Sequence, residues 1–273
     1  MALLAPASLT AQFASPSYSA GFTFANSQVN QHAFTLARDA GGFWVGDGGS
    51  AGGPRIFRYN NAGAFQTSYA PGLDFRSVFG DGSGAIYARQ FNNNTIYRMT
   101  SPGSFSSWLT LAGIPDAQSN VVFDAGNTRL IAMSGGSVRS YDAVTGSLVG
   151  TTSLVGFGVG SENNYPQNRG IVSALGKWLT YDNGTLSMWD PTTGSRLGTT
   201  SLTGAGTGFD AEFSLSFAGG SVWIADGSGG NNQWREYDVG LGGVSPVPEP
   251  SSIALVGLGL AGMGVVGRRR RRS

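Results

Sequence analysis

The sequence predicts an all-β fold, a β-propeller of five four-stranded blades. First, a short β-rich run recurs five times, at spacings of 42, 44, 48 and 45 residues. Second, other short runs surround each copy, and glycine supplies 44 of the 273 residues. Third, 16 Phe, 9 Tyr and 6 Trp indicate a packed core, because disordered chains lack aromatic residues. Four short strands per roughly 40–48 residues with Gly-rich turns are typical of a propeller blade. The recurrent runs are aligned on Trp44, Ile86, Leu130, Trp178 and Trp223.

Each repeat contains four runs, and in the first repeat these are residues 32–38, 43–47, 56–60 and 64–69. Alternation of apolar and polar residues within the runs favours half-buried strands. Turns such as Asp39-Ala40-Gly41-Gly42 supply residues that tolerate a positive φ. The long connections 154–170 and 201–212 leave an irregular sixth blade open as an alternative.

The ends of the repeat region predict how the ring closes. No fourth run follows Tyr237, whereas residues 18–25 have strand character and precede the first full repeat. An amino-terminal strand that completes the last blade would close the ring and cover an exposed edge. We therefore expect residues 18–245 to form the propeller domain. Residues 1–17 are interpreted as a remnant of an export signal, because the positive start of a signal peptide is missing and a start further upstream is favoured.

The carboxyl-terminal residues 246–273 predict a membrane segment. The motif Pro248-Glu249-Pro250 precedes an uncharged apolar run, and Arg268, Arg269, Arg270, Arg271 and Arg272 follow that run. As a helix, residues 251–267 would span about 25 Å, the lower limit for crossing a bilayer. The arginines would act as a membrane stop on the cytoplasmic side.

This carboxyl-terminal segment closely resembles the PEP-CTERM sorting signal of Gram-negative bacteria, because motif, apolar run and basic end occur in that order. The resemblance implies that the protein is held in the inner membrane as an intermediate. It also implies that an exosortase there cleaves near the Pro-Glu-Pro motif and that the product reaches the cell surface or the exopolysaccharide matrix. An ordinary anchor that is never cut is the alternative.

The repeats themselves resemble NHL-type and quinoprotein-type propeller repeats. The likeness is carried by Tyr141-Asp142-Ala143-Val144-Thr145-Gly146 and Trp189-Asp190-Pro191-Thr192-Thr193-Gly194. Such motifs occur in propellers of many functions, so this resemblance implies only a fold.

Composition excludes several classes of function. The chain has no cysteine, one lysine (Lys177) and one histidine (His32). Disulfides, thiolate metal sites and cysteine nucleophiles are therefore excluded, and the usual general base is scarce. Of the 17 basic residues, five form the terminal Arg run, so the remaining 12 face 16 acidic residues for a net charge of −4. This balance argues against binding to nucleic acid. We expect no cofactor and no metal.

The candidate ligand-binding residues lie at the ends of equivalent strands. Asp47, Arg89 and Asp226 end the recurrent run in three blades, and Tyr181 occupies this position in a fourth. Since equivalent strand ends gather on one face of a propeller, these four side chains predict a binding cluster. Trp108 and Trp234 are predicted to be exposed and able to stack on sugar rings. The other four tryptophans are expected in the core.

The favoured function is a non-catalytic binding or structural module at the cell surface, with extracellular polysaccharide as the expected partner and no assigned catalytic residue. One alternative is a glycan-active hydrolase or lyase that uses two carboxylates of the propeller face. These carboxylates would need to lie ~5–9.5 Å apart. Another is a redox propeller of the quinoprotein type. The shortage of His, Lys and Cys favours the first reading.

Overall fold

The computed structural model describes residues 13–26, 28, 32–49, 53, 55–158, 170–207, 209–226 and 233–240. In chain order the elements are β1 (Ser17–Ser19), β2 (Phe22–Ala25), β3 (His32–Asp39), β4 (Gly42–Gly48), β5 (Arg55–Asn60), β6 (Phe65–Tyr69), β7 (Phe75–Gly80), β8 (Ile86–Gln90), β9 (Thr95–Ser101), β10 (Ser104–Thr110), β11 (Val121–Phe123), a 3-10 turn (Ala125–Asn127), β12 (Arg129–Ser134), β13 (Ser137–Asp142), β14 (Leu148–Ser153), β15 (Ile171–Ala174), β16 (Lys177–Asp182), β17 (Thr185–Trp189), β18 (Arg196–Thr203), α1 (Phe209–Phe213), β19 (Ser216–Ala218), β20 (Ser221–Ala225) and β21 (Gln233–Tyr237).

The strands form five antiparallel blades, as predicted. The blades are β3-β4-β5-β6, β7-β8-β9-β10, β11-β12-β13-β14, β15-β16-β17-β18 and β19-β20-β21-β2. We call β3, β7, β11, β15 and β19 the inner strands, because each contacts the next and β19 contacts β3, which closes a ring. No sheet of a sixth blade is present in the described residues, so the count of five is confirmed for that part of the chain.

The predicted closure by an amino-terminal strand is confirmed, with narrower bounds. Strand β2 pairs antiparallel with β21, so the first and last parts of the propeller share one blade. Phe24 is the buried residue of β2, and its ring lies 5.1 Å from Phe43, 5.0 Å from Tyr59 and 6.0 Å from Trp223. The closing strand therefore completes an aromatic cluster between blades 5 and 1.

The turns that join the third and fourth strands of blades 3 and 4 explain why Asp-x-x-Thr-Gly recurs. In Asp142–Gly146 and Asp190–Gly194, the aspartate Oδ1 accepts backbone N–H groups two and three residues later. Each turn then packs against the outer strand of the preceding blade. Ala112 N–H donates to Gly146 O over 2.9 Å, and Val155 N–H donates to Gly194 O over 2.8 Å. The motif thus fastens one blade to the next.

The amino-terminal segment replaces this fastening turn at the last junction. Blade 5 has no turn between its third and fourth strands, because its fourth strand comes from the start of the chain. In its place β1 runs parallel to β18 as a fifth strand of blade 4. Ser201 N–H donates to Pro16 O over 3.0 Å, and the Thr200 hydroxyl donates to Ser15 O over 2.9 Å. Sequence reasoning had joined residues 18–25 into one strand of blade 5.

Gly194 permits a first test of these turns. Its φ is 69°, and an added Cβ would overlap the backbone oxygen of Ser153. We expect Gly194→Ala to lower the free energy of unfolding by about 3 kcal/mol, since left-handed strain and overpacking add. Gly184→Ala is the control, because Gly184 has a φ of 82° with no atom within 4 Å of the added Cβ. Urea denaturation measures both, and equal losses would contradict the fastening role.

The core contains the expected tryptophans. Trp178, Trp189 and Trp223 are fully buried, and Trp44 is nearly so. Among the described residues, no helix has the length and apolar character needed to cross a membrane. The predicted membrane helix and most of the proposed export-signal remnant lie outside the described residues. The domain limits 1–17, 18–245 and 246–273 stay predictions.

Candidate functional site

The two ends of the axial channel differ in their connections. The longest connections, residues 111–120, 154–170 and 204–215, join strand ends where the inner strands begin, which we call the first end. At the second end, short turns join the inner strands to their neighbours. Ligand sites are often built on loops that a rigid scaffold holds, so both the long loops and the channel were natural places for a site.

The first end contains the predicted residues Asp47 and Arg89, both buried. Asp47 Oδ1 accepts the backbone N–H of His32 over 3.3 Å. Arg89 donates to Asn93 O over 3.0 Å and to Ser119 O over 2.5 Å. Burial, followed by nearby Arg76, lowers the pKa of Arg89 to about 10. Both side chains therefore bind the protein's own backbone.

Tyr181 and Asp226 are also engaged by nearby protein groups. The fully buried Tyr181 hydroxyl donates to Gly206 O and accepts the Gly184 N–H over 3.0 Å, and burial raises the pKa of Tyr181. Asp226 Oδ2 lies 2.6 Å from a terminal nitrogen of Arg235 within blade 5. A ligand role for these residues stays a prediction.

Trp108 and Trp234, which were both predicted to be exposed, differ in burial. The expected exposure of Trp234 is wrong, because its side chain is fully buried. It lies on β21 between β20 and the closing strand β2, with Ala225 and Phe24 as cross-strand partners. Trp108 is half-buried, and its ring lies 4.8 Å from Tyr87.

The first end holds a polar group that sequence reasoning missed. His32 Nδ1 lies 2.8 Å from Oδ1 of Asp210, which is on α1 and is buried. Burial raises the pKa of Asp210, while the hydrogen bond from His32 acts in the opposite direction. The two residues are far apart in the sequence, so only the closed ring brings them together.

Arg76 is the second missed residue. Its guanidinium carbon lies 4.7 Å from the Phe34 ring centre and 4.6 Å from that of Phe91, and Nη1 lies 2.6 Å from Asp74 Oδ1. Burial lowers the pKa of Arg76, against the effect of Asp74. The pairing register shifts at Phe34 in β3 and at Arg76 in β7. Such bulges redirect side chains, and they have no local sequence signal here.

Several side chains at the first end are buried and contact one another. The rings of Phe34 and Phe213 meet edge to face with centres 5.8 Å apart, and Phe34, Phe213 and Leu215 are all buried. Asn120 Oδ1 accepts the Ile171 N–H over 3.1 Å, and its Nδ2 donates to Ile171 O over 3.3 Å. These contacts join β3 to α1 and the start of β11 to the start of β15.

The second end opens into a cavity of about 400 Å³. Every inner strand or its flank contributes to the apolar walls, which include Leu36, Val78, Val122, Val172, Leu215 and Phe217. Polar and exposed residues surround the mouth, namely Arg38, Asp81, Asp124, Asn127 and Leu175.

Local hydrogen bonds fix several groups of the mouth. Asp81 Oδ1 accepts the Ser83 N–H over 2.8 Å, and Asp124 Oδ1 accepts the Ser173 hydroxyl over 2.7 Å. Arg38 donates to Asn61 Oδ1 over 3.3 Å. Within the described residues, no three His, Asp or Glu side chains are grouped so that they could hold a metal ion. The cavity thus combines apolar walls with a preformed polar rim.

The family comparison concerns the carboxyl-terminal segment. Residues 246–272 match the model of the PEP-CTERM protein-sorting motif. The chain carries a PEP-CTERM sorting motif. It is therefore exported by way of a membrane-anchored intermediate to the surface or the extracellular space of a Gram-negative bacterium, and exosortase is the partner that recognises its motif. The sorting and localisation predictions are confirmed.

The propeller is similar to a solved structure. The crystal structure of Myxococcus xanthus glutaminyl cyclase superposes with a TM-score of 0.59 at 12% identity, covering 81% of this chain and 96% of that chain. At this identity the likeness shows the fold alone. The NHL and quinoprotein resemblance is compatible with the same fold. No curated protein matches the chain.

Proposed function

We propose that this exported propeller is a non-catalytic module that binds a neutral glycan in the cavity at the second end. The observation that supports the proposal is the cavity itself, about 400 Å³ with apolar walls and a polar rim. Ligand pockets usually have volumes of ~300–1,000 Å³, mostly apolar linings and a few fixed polar groups.

Sugar chemistry suits this lining. A sugar ring has apolar C–H surfaces as well as hydroxyls, so it needs both apolar contacts and hydrogen-bonding groups. Phe79 and Phe217 supply aromatic surface, while Arg38, Asp81 and Asn127 supply donors and acceptors. One arginine faces two aspartates around the mouth, and the chain before the Arg run carries a net charge of −4. That balance disfavours polyanions. Delivery to the cell surface brings the cavity to such glycans.

The strand-end residues Asp47, Arg89, Tyr181 and Asp226 define the rival site at the first end. We favour the cavity because these four side chains bind nearby protein groups, whereas the cavity offers open volume. The two sites predict opposite results for single variants.

Binding of neutral oligosaccharides to the full chain in detergent would test the proposal. Arg38→Ala is expected to weaken binding about tenfold, ~1.4 kcal/mol, because a charged hydrogen-bond donor is lost from the rim. Asp226→Ala is the matched control and should bind normally. Weaker binding of Asp226→Ala with normal binding of Arg38→Ala would move the site to the first end. New reducing ends in the mixture would instead support the hydrolase alternative.

A further inference from the structure

The residues that line the cavity lie at the second end of the channel and along the inner strands. Toward the first end, the described residues Phe34, Phe213, Leu215, Asn120 and Ile171 are each at most 2% exposed. Because these residues are out of contact with solvent, we infer that a polymer does not pass through the ring. We propose that the cavity recognises the terminal sugar of a glycan chain, with Leu175 at its mouth packing against the apolar face of that sugar. This inference rests on the proposed glycan binding.

Leu175 has two unfavourable features that a purely structural turn would avoid. Its φ is 48°, in the left-handed region that side chains other than Gly, Asn and Asp disfavour. Its side chain is also 63% exposed, although it is apolar. Strained conformations that persist beside a cavity point to function.

Other turns of the propeller have asparagine or glycine at positions with a positive φ. The neighbouring turn of the same blade uses Asn183-Gly184, with φ values of 48° and 82°. Blade 5 uses Gly219-Gly220 at the position equivalent to Leu175-Gly176, with φ values of 65° and 89°. The sequence therefore places leucine where this chain elsewhere uses asparagine or glycine. Leu175 lies at the mouth of the cavity, whereas Asn183 lies at the first end.

The test of chain-end recognition compares long and short forms of one polymer. The neutral surface polysaccharide of the producing bacterium is used intact and after mild acid fragmentation, at equal sugar mass. If the cavity binds chain ends, binding by the full chain rises in proportion to the number of ends. Equal or weaker binding after fragmentation would overturn the inference while leaving glycan binding intact. Binding to neither form would overturn both the inference and the proposed function.

Leu175→Asn gives an independent test. It should raise the melting temperature by ~2–4 °C, because the turn then resembles Asn183-Gly184, and it should weaken binding to the fragments about tenfold. Asn183→Leu is the reverse control, which should melt earlier and bind normally. A Leu175→Asn variant that binds like the parent, or that melts earlier, would show that the leucine has no role at the mouth.

Discussion

Deletion of residues 1–27 is expected to lower the free energy of unfolding by roughly 5 kcal/mol, a large part of a usual total of ~5–15 kcal/mol. The deletion removes both β1 and β2. It exposes the edge of β21, uncovers Trp234, and takes Phe24 out of the cluster with Phe43 and Trp223. Urea denaturation followed by tryptophan fluorescence would measure the loss.

Point variants that keep strand β2 test how much its buried side chain contributes to stability. Phe24→Ala should cost about 3–5 kcal/mol, because the buried ring leaves a cavity. Thr23→Ala is the control on the same strand, where the side chain is exposed, and should change stability by less than about 0.5 kcal/mol. A truncated protein as stable as the full chain would contradict ring closure by β2.

Replacement of Pro248, Glu249 and Pro250 with alanines is expected to leave the protein in the inner membrane. The change removes the motif that gives the sorting signal its name, while the apolar run and the Arg run remain as an anchor. Cell fractionation and the mass of the mature protein measure the outcome. Pro246→Ala, outside the tripeptide, is the control and should be delivered normally. Unchanged surface delivery and unchanged mass in the triple variant would contradict processing by exosortase.

The blade pattern could be predicted because its signals are local. Strand alternation and turn residues such as Asp142 and Gly146 act over a few positions, and the missing strand after Tyr237 predicted closure. The parallel pairing of Ser17–Ser19 with β18 could not be predicted, since it depends on the absence of a turn at a distant junction. A different long-range pairing, that of β2 with β21, buries Trp234, whose position alone suggested exposure.

The candidate site could be predicted only in part. Sequence placed Asp47 and Arg89 at strand ends, but it did not show the groups that they bind. Asp47 accepts the His32 N–H of the adjacent strand β3, and Arg89 donates to Ser119 O of the loop before the next blade. The cavity was missed because its mouth is formed by turn residues from different blades. In a single repeat, Leu175 looks like an ordinary turn residue, and its positive φ is visible only in the structure.

Closure by β2 also affects when the propeller can finish folding during secretion. When the chain crosses the inner membrane amino end first, Phe22–Ala25 emerges long before its partner Gln233–Tyr237. Until that partner strand is available, the pocket around Phe24 is incomplete and the ring of blades is open. The partner strand comes just before the sorting motif in the sequence. If the chain crosses the membrane unfolded, closure of the ring therefore cannot occur until residues 233–237, which precede the sorting motif, have crossed.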